Sequence, residues 1–241
     1  MAAAAAALAA EGVQTAPHVN GRSLVAAEWV SVRDLKAFRE GLVQPQDPTA
    51  TAVVVAAAPA PGSRVLDFCA APGTKTTQLA ETMDDRGAIM AVDVSADRIQ
   101  RIEDNCRRLG VGIVTTALAE GVGSLEPRSF DLALVDAPCS NTGVLARRAE
   151  ARWRFDEERL LALAADQRIL LGLAAQFVRR GGRLAYSTCS IEPEENEQVA
   201  RWAAARAEGL EIRREELTLP AGAEDPRQWR DGGYLAIFKV R

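Results

Sequence analysis

The chain has 241 residues, 48% of them hydrophobic and 26% charged, with a formal net charge of -4. That length carries one substantial domain with at most a small appendage, and the balance excludes wholesale disorder. A net negative chain has no global positive field for nucleic acid, so any grip on RNA or DNA has to be local.

The opening MAAAAAALAA lacks the basic residues that precede the apolar stretch of a signal peptide, so it reads as an alanine-rich, frayed terminus. No uncharged apolar run is long enough to span a bilayer, and no membrane partner is expected. Residues 1–45 read as a short N-terminal segment, partly helical or disordered, with a short helix in VSVRDLKAF and the single histidine, His18, at the surface. One histidine removes most serine and cysteine hydrolase chemistry and all histidine-rich metal sites. Cys69, Cys106, Cys139 and Cys189 are far apart and form no C-x-x-C pair, so neither zinc nor a disulfide framework is expected. They read as free thiols of a cytoplasmic protein.

A domain is expected over residues 46–241. A helix starts after Pro48, and from about Gly62 short apolar runs alternate with amphipathic stretches. RVLDFCA precedes a helical TKTTQLAETM, and AIMAVDV precedes SADRIQRIEDNCRRLG, where Ile99, Ile102, Cys106 and Leu109 recur at helical spacing, which makes Cys106 a core filler. IVTTAL leads to a loop, FDLALVDA to a long helix from about Asp156 to Arg180, and GRLAYSTC to a helix in EPEENEQVARWAAARAE, whose acidic run reads as a helix start that favours the helix dipole. Such alternation predicts an α/β fold: a mostly parallel, twisted sheet with helices on both faces. LEIRREEL and YLAIFKVR, with only a polar loop between them, predict a C-terminal antiparallel hairpin.

The first of these strands ends in DFCAAPGTKT, where Ala70, Ala71 and Gly73 let a ligand approach the free N–H groups of a helix start. The glycine of a phosphate-binding loop is missing, with Asp67 or Phe68 in its place, and the dinucleotide fingerprint G-x-G-x-x-G is absent. Asp93, about 20 residues past the turn at the end of the second strand, suits the hydroxyls of a ribose. The other reading is that Asp93 caps the helix starting near Ser95. A nucleoside without pyrophosphate fits both observations, and S-adenosylmethionine is the candidate cofactor.

Two thiols stand at strand ends, in LVDAPCSNTG and in YSTCSIEPEENE. In an open parallel sheet the carboxyl ends of strands are where ligands sit, which argues against mere packing for Cys139 and Cys189. These motifs, taken in order with GLVQPQDPTA, RVLDFCAAPGTKT, AVDVS and DGGYLAIFKV, resemble the RNA (cytosine-5)-methyltransferases of the RsmB, NOP and Sun-domain family. The resemblance implies a Rossmann-like S-adenosylmethionine-dependent methyltransferase fold. It places the cofactor on Cys69, Ala70, Ala71, Pro72, Gly73, Thr74, Lys75 and Asp93, with Asp136 beside the reacting centre. Glu120 stands where the family usually has an aspartate that contacts the adenosine. The resemblance makes Cys189 the nucleophile and Cys139 the group that assists product release; spacing alone does not rank the two thiols. Asp136 and Lys75 complete the expected catalytic set.

The expected substrate is RNA with an unpaired cytosine, ribosomal RNA before transfer RNA, acted on by a monomer. LARRAEARWRF follows one cysteine motif directly and offers arginines for phosphates. Trp153 and Phe155 either stack bases or staple the next helix to the core. With only about 45 residues ahead of the shared region, a recruiting protein or the ribosomal context is expected to help bring the RNA. Two other readings stay open: methylation of a non-RNA substrate, and a degenerate methyltransferase fold used as an RNA-binding or assembly scaffold.

Overall fold

The computed structural model describes residues 1–206, 209–222 and 224–241; the last two positions of the helix expected to end at 208 lie outside the described residues. Helix α1 (Ala2–Ala10), the hairpin β1 (Thr15–Pro17) and β2 (Leu24–Ala26), and α2 (Lys36–Arg39) form the N-terminal segment. Leu8, Val13 and Ala37 bury themselves together there, and the Glu11 carboxylate caps α2 by accepting from Lys36 N and Ala37 N at 2.6 and 2.8 Å. Arg108 ties this segment to the main body, donating to the Phe38 and Val43 carbonyls from a position over the Phe38 ring. His18 is not at the surface as expected. It is 5% exposed, with Nε2 3.0 Å from the Trp229 carbonyl and Nδ1 accepting from Asn20 N. A partner 211 residues away leaves no trace in the local pattern.

Helix α3 (Pro48–Ala57) starts where Asp47 accepts from Thr49 N at 2.8 Å and Pro48 supplies the first turn. Then follow β3 (Arg64–Phe68), α4 (Thr74–Thr82), β4 (Ala88–Asp93), α5 (Ala96–Leu109), β5 (Val114–Leu118), β6 (Phe130–Asp136), α6 (Glu157–Phe177), β7 (Val178–Thr188), α7 (Glu197–Arg206), β8 (Leu210–Thr218) and β9 (Gly233–Val240). The seven-stranded sheet has the order β5-β4-β3-β6-β7-β9-β8. Its first five strands in that order run parallel, while β9 is antiparallel to both β7 and β8, which forms the expected hairpin.

The strands bury alternate residues on opposite faces, as the period of two requires. Leu66, Phe68, Ala133, Val135, Leu184 and Tyr186 meet α6 and α7, whereas Val65, Leu132, Leu134 and Ala185 meet α3 and α4. Ile102 and Cys106 of α5 pack on Ala91 of β4, so Cys106 is the core filler its spacing implied. Helix α6 stops at Phe177, short of Arg180. The fully buried Val178 already pairs with Phe130 there, and the strand runs on through a bulge. By length and composition alone α6 could cross a membrane, but its stripe of Leu160, Ala164, Leu171, Ala174 and Phe177 lies in the core. The strand order reverses between β3 and β6, which opens a crevice beyond their carboxyl ends.

Candidate active site

Asp67, Asp93, Asp136 and Cys189 all lie at or just past the carboxyl ends of β3, β4, β6 and β7, because parallel strands in register deliver their ends to one side. The β3–α4 turn is built for close approach. Cys69 has φ 69° and Gly73 φ 95°; a Cβ on Gly73 would stand 3.1 Å from Ile102 Cα, so the turn packs directly on α5. Asp93 is 2% exposed. Its Oδ2 accepts from Ala71 N at 2.8 Å, and its Oδ1 from Val94 N at 2.7 Å and from Arg98 Nε at 3.1 Å. Two carboxylate oxygens offer about four acceptor positions, so a hydroxyl can still reach Oδ2. A second hydroxyl requires Arg98, whose side chain is 42% exposed, to yield its place.

Asp67 accepts from Thr76 Oγ1 at 2.6 Å through Oδ2, while its buried Oδ1 has no partner. Burial raises its pKa to about 7, against the Thr76 hydrogen bond. Burial, with Asp93, Asp136 and Asp67 nearby, pushes the Cys69 thiol up to about 12, so Cys69 lines the turn as a neutral thiol. An orphaned buried acceptor, small residues at the turn and a further acceptor at Asp93 match the ammonium, backbone and ribose parts of S-adenosylmethionine. The residues expected to hold that group fit it. Glu120 is exposed just past β5, two residues beyond Leu118, the register partner of Asp93; it flanks the crevice without joining the cluster.

Across the crevice, Lys75 Nζ lies 2.7 Å from Asp136 Oδ2, and Ser187 Oγ donates to Asp136 Oδ1 at 2.7 Å. Burial opposes the charge on Lys75, but the Asp136 carboxylate and the hydrogen bond to it outweigh that and hold its pKa above the ordinary lysine value. Cys139 Sγ and Cys189 Sγ are 3.1 Å apart. Either sulfur can donate to the other, and Cys189 also lies 3.2 Å from the Asn141 amide oxygen, to which its thiol donates. With Cys139 as donor, the bond lowers the Cys189 pKa against burial and the nearby Asp136 carboxylate, and raises that of Cys139. Lys75 and Arg148 add to the lowering. In that arrangement Cys189 is the more acidic of the two thiols, an order that spacing did not supply.

The backbone that brings the thiols together is tightly knit. Gly143 N donates to the Cys189 carbonyl at 3.0 Å, and a Cβ there would meet that oxygen at 2.8 Å and Gly232 O at 2.6 Å. A cleft lined by Lys75, Asp136, Ser187, Cys189, Asp47 and Asp231 opens on one side of the pair. A second cleft, with Cys139 and Asn141 in its wall, opens on the other.

The chain belongs to the 16S rRNA methyltransferase RsmB/F family. That family's model matches residues 54–229. The chain is 35% identical over 213 residues to ribosomal RNA small subunit methyltransferase B of Erwinia tasmaniensis, which covers 86% of this chain and 49% of that protein. It is 43% identical over 141 residues to ribosomal RNA small subunit methyltransferase F of Salmonella heidelberg, covering 58% of this chain and 29% of that one. The chain thus spans about half or less of the length of these curated relatives. Among solved structures, PH0851 superposes with a TM-score of 0.85 at 31% identity, over 99% of this chain and 56% of that one. NSun6 from Pyrococcus horikoshii with SFG gives 0.75 at 28%, over 90% and 59%. The architecture is that of S-adenosylmethionine-dependent methyltransferases.

Sequence reasoning missed the support behind the thiols of this RsmB/F family member. The EPEENE run is not simply an acidic helix start: α7 begins only at Glu197, and Glu195 and Asn196 are fully buried. Glu195 accepts from Ser140 N at 2.8 Å, from Gln167 Nε2 at 3.0 Å and from Ser140 Oγ. Tyr186 OH donates to the Glu195 carbonyl. Asn196 accepts from Thr188 Oγ1 at 2.6 Å and donates to the Ser190 carbonyl at 3.0 Å. Strand β7 and both cysteine loops are thereby stapled to one buried polar cluster. One signal was legible: Gln167 falls on the buried stripe of α6 between Ala164 and Leu171, where a polar side chain demands a partner.

Proposed function

We propose that this chain methylates carbon 5 of an unpaired cytosine in ribosomal RNA, with S-adenosylmethionine as donor and a transient cysteine adduct at carbon 6. The observation that carries the reading is the pair of thiols 3.1 Å apart beside the Lys75 and Asp136 pair. Carbon 5 of cytosine is a poor nucleophile because its ring is electron-poor. Addition of the Cys189 thiolate to carbon 6 forms a sulfur–carbon bond, breaks the ring double bond and leaves an enamine with its electron density on carbon 5. The charge that the addition places on the ring is neutralised at ring nitrogen 3 by a proton from the Lys75 ammonium, passed through Asp136, which Lys75 and Ser187 hold. S-adenosylmethionine, when bound on the turn from Cys69 to Lys75 and on Asp93, supplies the electrophilic methyl group that carbon 5 takes. The carbon 5 proton then leaves to a base that Cys139 positions, the ring double bond re-forms, and the carbon 6 bond breaks to return the Cys189 thiolate.

A thiol suits this double duty because it both adds and departs readily, whereas a serine alkoxide is far harder to generate. The target base has to leave its stack to reach sulfur at the crevice wall. Support from relatives is the family itself, whose curated members carry ribosomal RNA methyltransferase names. The test incubates Cys139→Ala and Cys189→Ala variants with RNA and S-adenosylmethionine, then resolves the mixture under denaturing conditions. A protein–RNA adduct is expected to accumulate with Cys139→Ala and to be absent with Cys189→Ala. The opposite pattern exchanges the two roles, and no adduct with either variant removes the mechanism.

A further inference from the structure

The six residues RRAEAR from Arg147 to Arg152 carry three arginines, and with Arg154 and Arg159 they look alike in sequence; the fold sorts them. Arg147 is committed: its Nε lies 2.7 Å from Asp231 Oδ2 and its Nη2 3.2 Å from Asp47 Oδ2, so it clamps the start of α3 to the start of β9. Arg148, Arg154 and Arg159 instead line the second cleft, the one whose wall contains Cys139 and Asn141. Among the described residues Arg148 reaches only the Asn141 amide oxygen, at 3.4 Å, and neither Arg148 nor Arg159 has an ion pair. Arg154 pairs with Glu150 at 3.2 Å, but both side chains are more than half exposed, which makes that bond readily exchanged. The carboxylate in the same cleft, Asp156, is engaged in capping α6 by accepting from Arg159 N at 2.8 Å.

Unpaired guanidinium groups beside a thiol wall, on a chain of net charge -4, are a local concentration of positive charge that the fold itself does not use. On the same short 3-10 segment, Ala149–Arg154, Ala151 is buried while Trp153 is 85% exposed, and Phe155 just beyond it is 44% exposed. An indole that open to solvent staples nothing to the core, so the staple reading drops out for Trp153. It presents a flat apolar face next to a cationic cleft, the combination that holds an unpaired nucleic-acid strand through its phosphates and a stacked base.

We infer that the cleft formed by Arg148, Arg154 and Arg159 is the subsite for the backbone phosphates flanking the target cytosine, and that Trp153 stacks a neighbouring unpaired base. This rests on the proposed action on RNA, and adds which arginines grip the strand and on which side of the thiols it runs. Because Cys139 is part of the cleft wall, a strand seated there passes directly by the sulfur pair, with its target base turned toward Cys189. Arg148 also lies close enough to favour the Cys189 thiolate, so an incoming phosphate that engages Arg148 acts near the nucleophile as well.

The test measures binding of a short, cytosine-containing single-stranded RNA to the full chain across a salt series. For a single strand, each phosphate that the protein no longer neutralises makes the slope of log K against log salt shallower by about 0.7. The Arg148→Gln/Arg159→Gln variant is expected to lose about 0.7 to 1.4 from the slope, and Arg148→Lys/Arg159→Lys to keep it. Arg147→Gln, which removes a charge only a residue away in sequence, is expected to leave the slope unchanged. Trp153→Ala is expected to weaken binding about tenfold at every salt concentration with the slope intact, and Trp153→Phe to recover most of that. A wild-type slope in the double Gln variant, a slope change in Arg147→Gln equal to that of the double variant, or unchanged affinity in Trp153→Ala each overturns the subsite. The adduct in Cys139→Ala with all arginines intact reports on the proposed chemistry alone, so a failure there and a failure here are told apart.

Discussion

Replacing Glu195 with alanine tests whether the buried polar cluster holds the cysteine loops in place. The wild-type carboxylate is fully buried and receives Ser140 N, Ser140 Oγ and Gln167 Nε2. Alanine leaves the partners with unequal losses. Ser140 Oγ retains Ser190 Oγ at 3.1 Å and Gln167 Nε2 retains the Pro138 carbonyl at 2.9 Å, so the orphaned donors are the Ser140 N–H and one amide hydrogen of Gln167. Each unsatisfied buried donor costs about 1 to 3 kcal/mol, and the half-buried setting of Ser140 favours the lower end. With a contribution from the vacated volume, the expected loss is about 3 to 4 kcal/mol. Glu195→Gln differs: its amide oxygen can still serve Ser140 N and Gln167, and its NH2 can donate to Ser140 Oγ, whose hydroxyl turns to Ser190. That leaves a loss of about 1 kcal/mol for the missing charge. Urea denaturation reads both, with the midpoint shifting and the slope constant if the effect is on the native state. Thermal unfolding of Glu195→Ala should drop by about 10 °C for a chain of this size. Alanine costing no more than glutamine would refute the reasoning, because the carboxylate would then not be satisfying donors that nothing else can reach.

Two further expectations concern titration. Asp67 has a pKa raised by burial to about 7 from 3.8, so the folded state holds the proton more tightly and stability falls as pH rises between those values. Asp67→Asn removes this dependence, so the stability of the variant relative to wild type should climb by up to about 4 kcal/mol from pH 4 to pH 8; a flat difference across that range sinks the assignment. For the thiols, Cys189 should be alkylated by iodoacetamide ahead of Cys69, Cys106 and Cys139, read by peptide mass spectrometry. Cys139→Ala should move the pH midpoint of Cys189 alkylation upward, because the hydrogen bond that favours its thiolate is gone. An unmoved midpoint would mean that Cys139 does not tune Cys189.

Period and punctuation made much of this protein legible without coordinates. The alternation of apolar strands with amphipathic helices, the Asp47–Pro48 helix start and the terminal hairpin are set by backbone and side-chain preferences acting over a few residues, and the chain folds accordingly. Strands that run parallel carry their carboxyl ends to one edge, so thiols and acids read at strand ends were bound to meet in one region. Sequence did not decide which of them touch there. Cys139 and Cys189 are 50 residues apart, and Arg147 is 100 from Asp47. Burial, hydrogen-bond donors and charges act through space, so only the packed chain could separate the bound Arg147 from the open Arg148, turn Glu195 from part of an acidic helix start into the anchor of the Cys139 loop, and set the pKa of one of two similar thiols below that of the other.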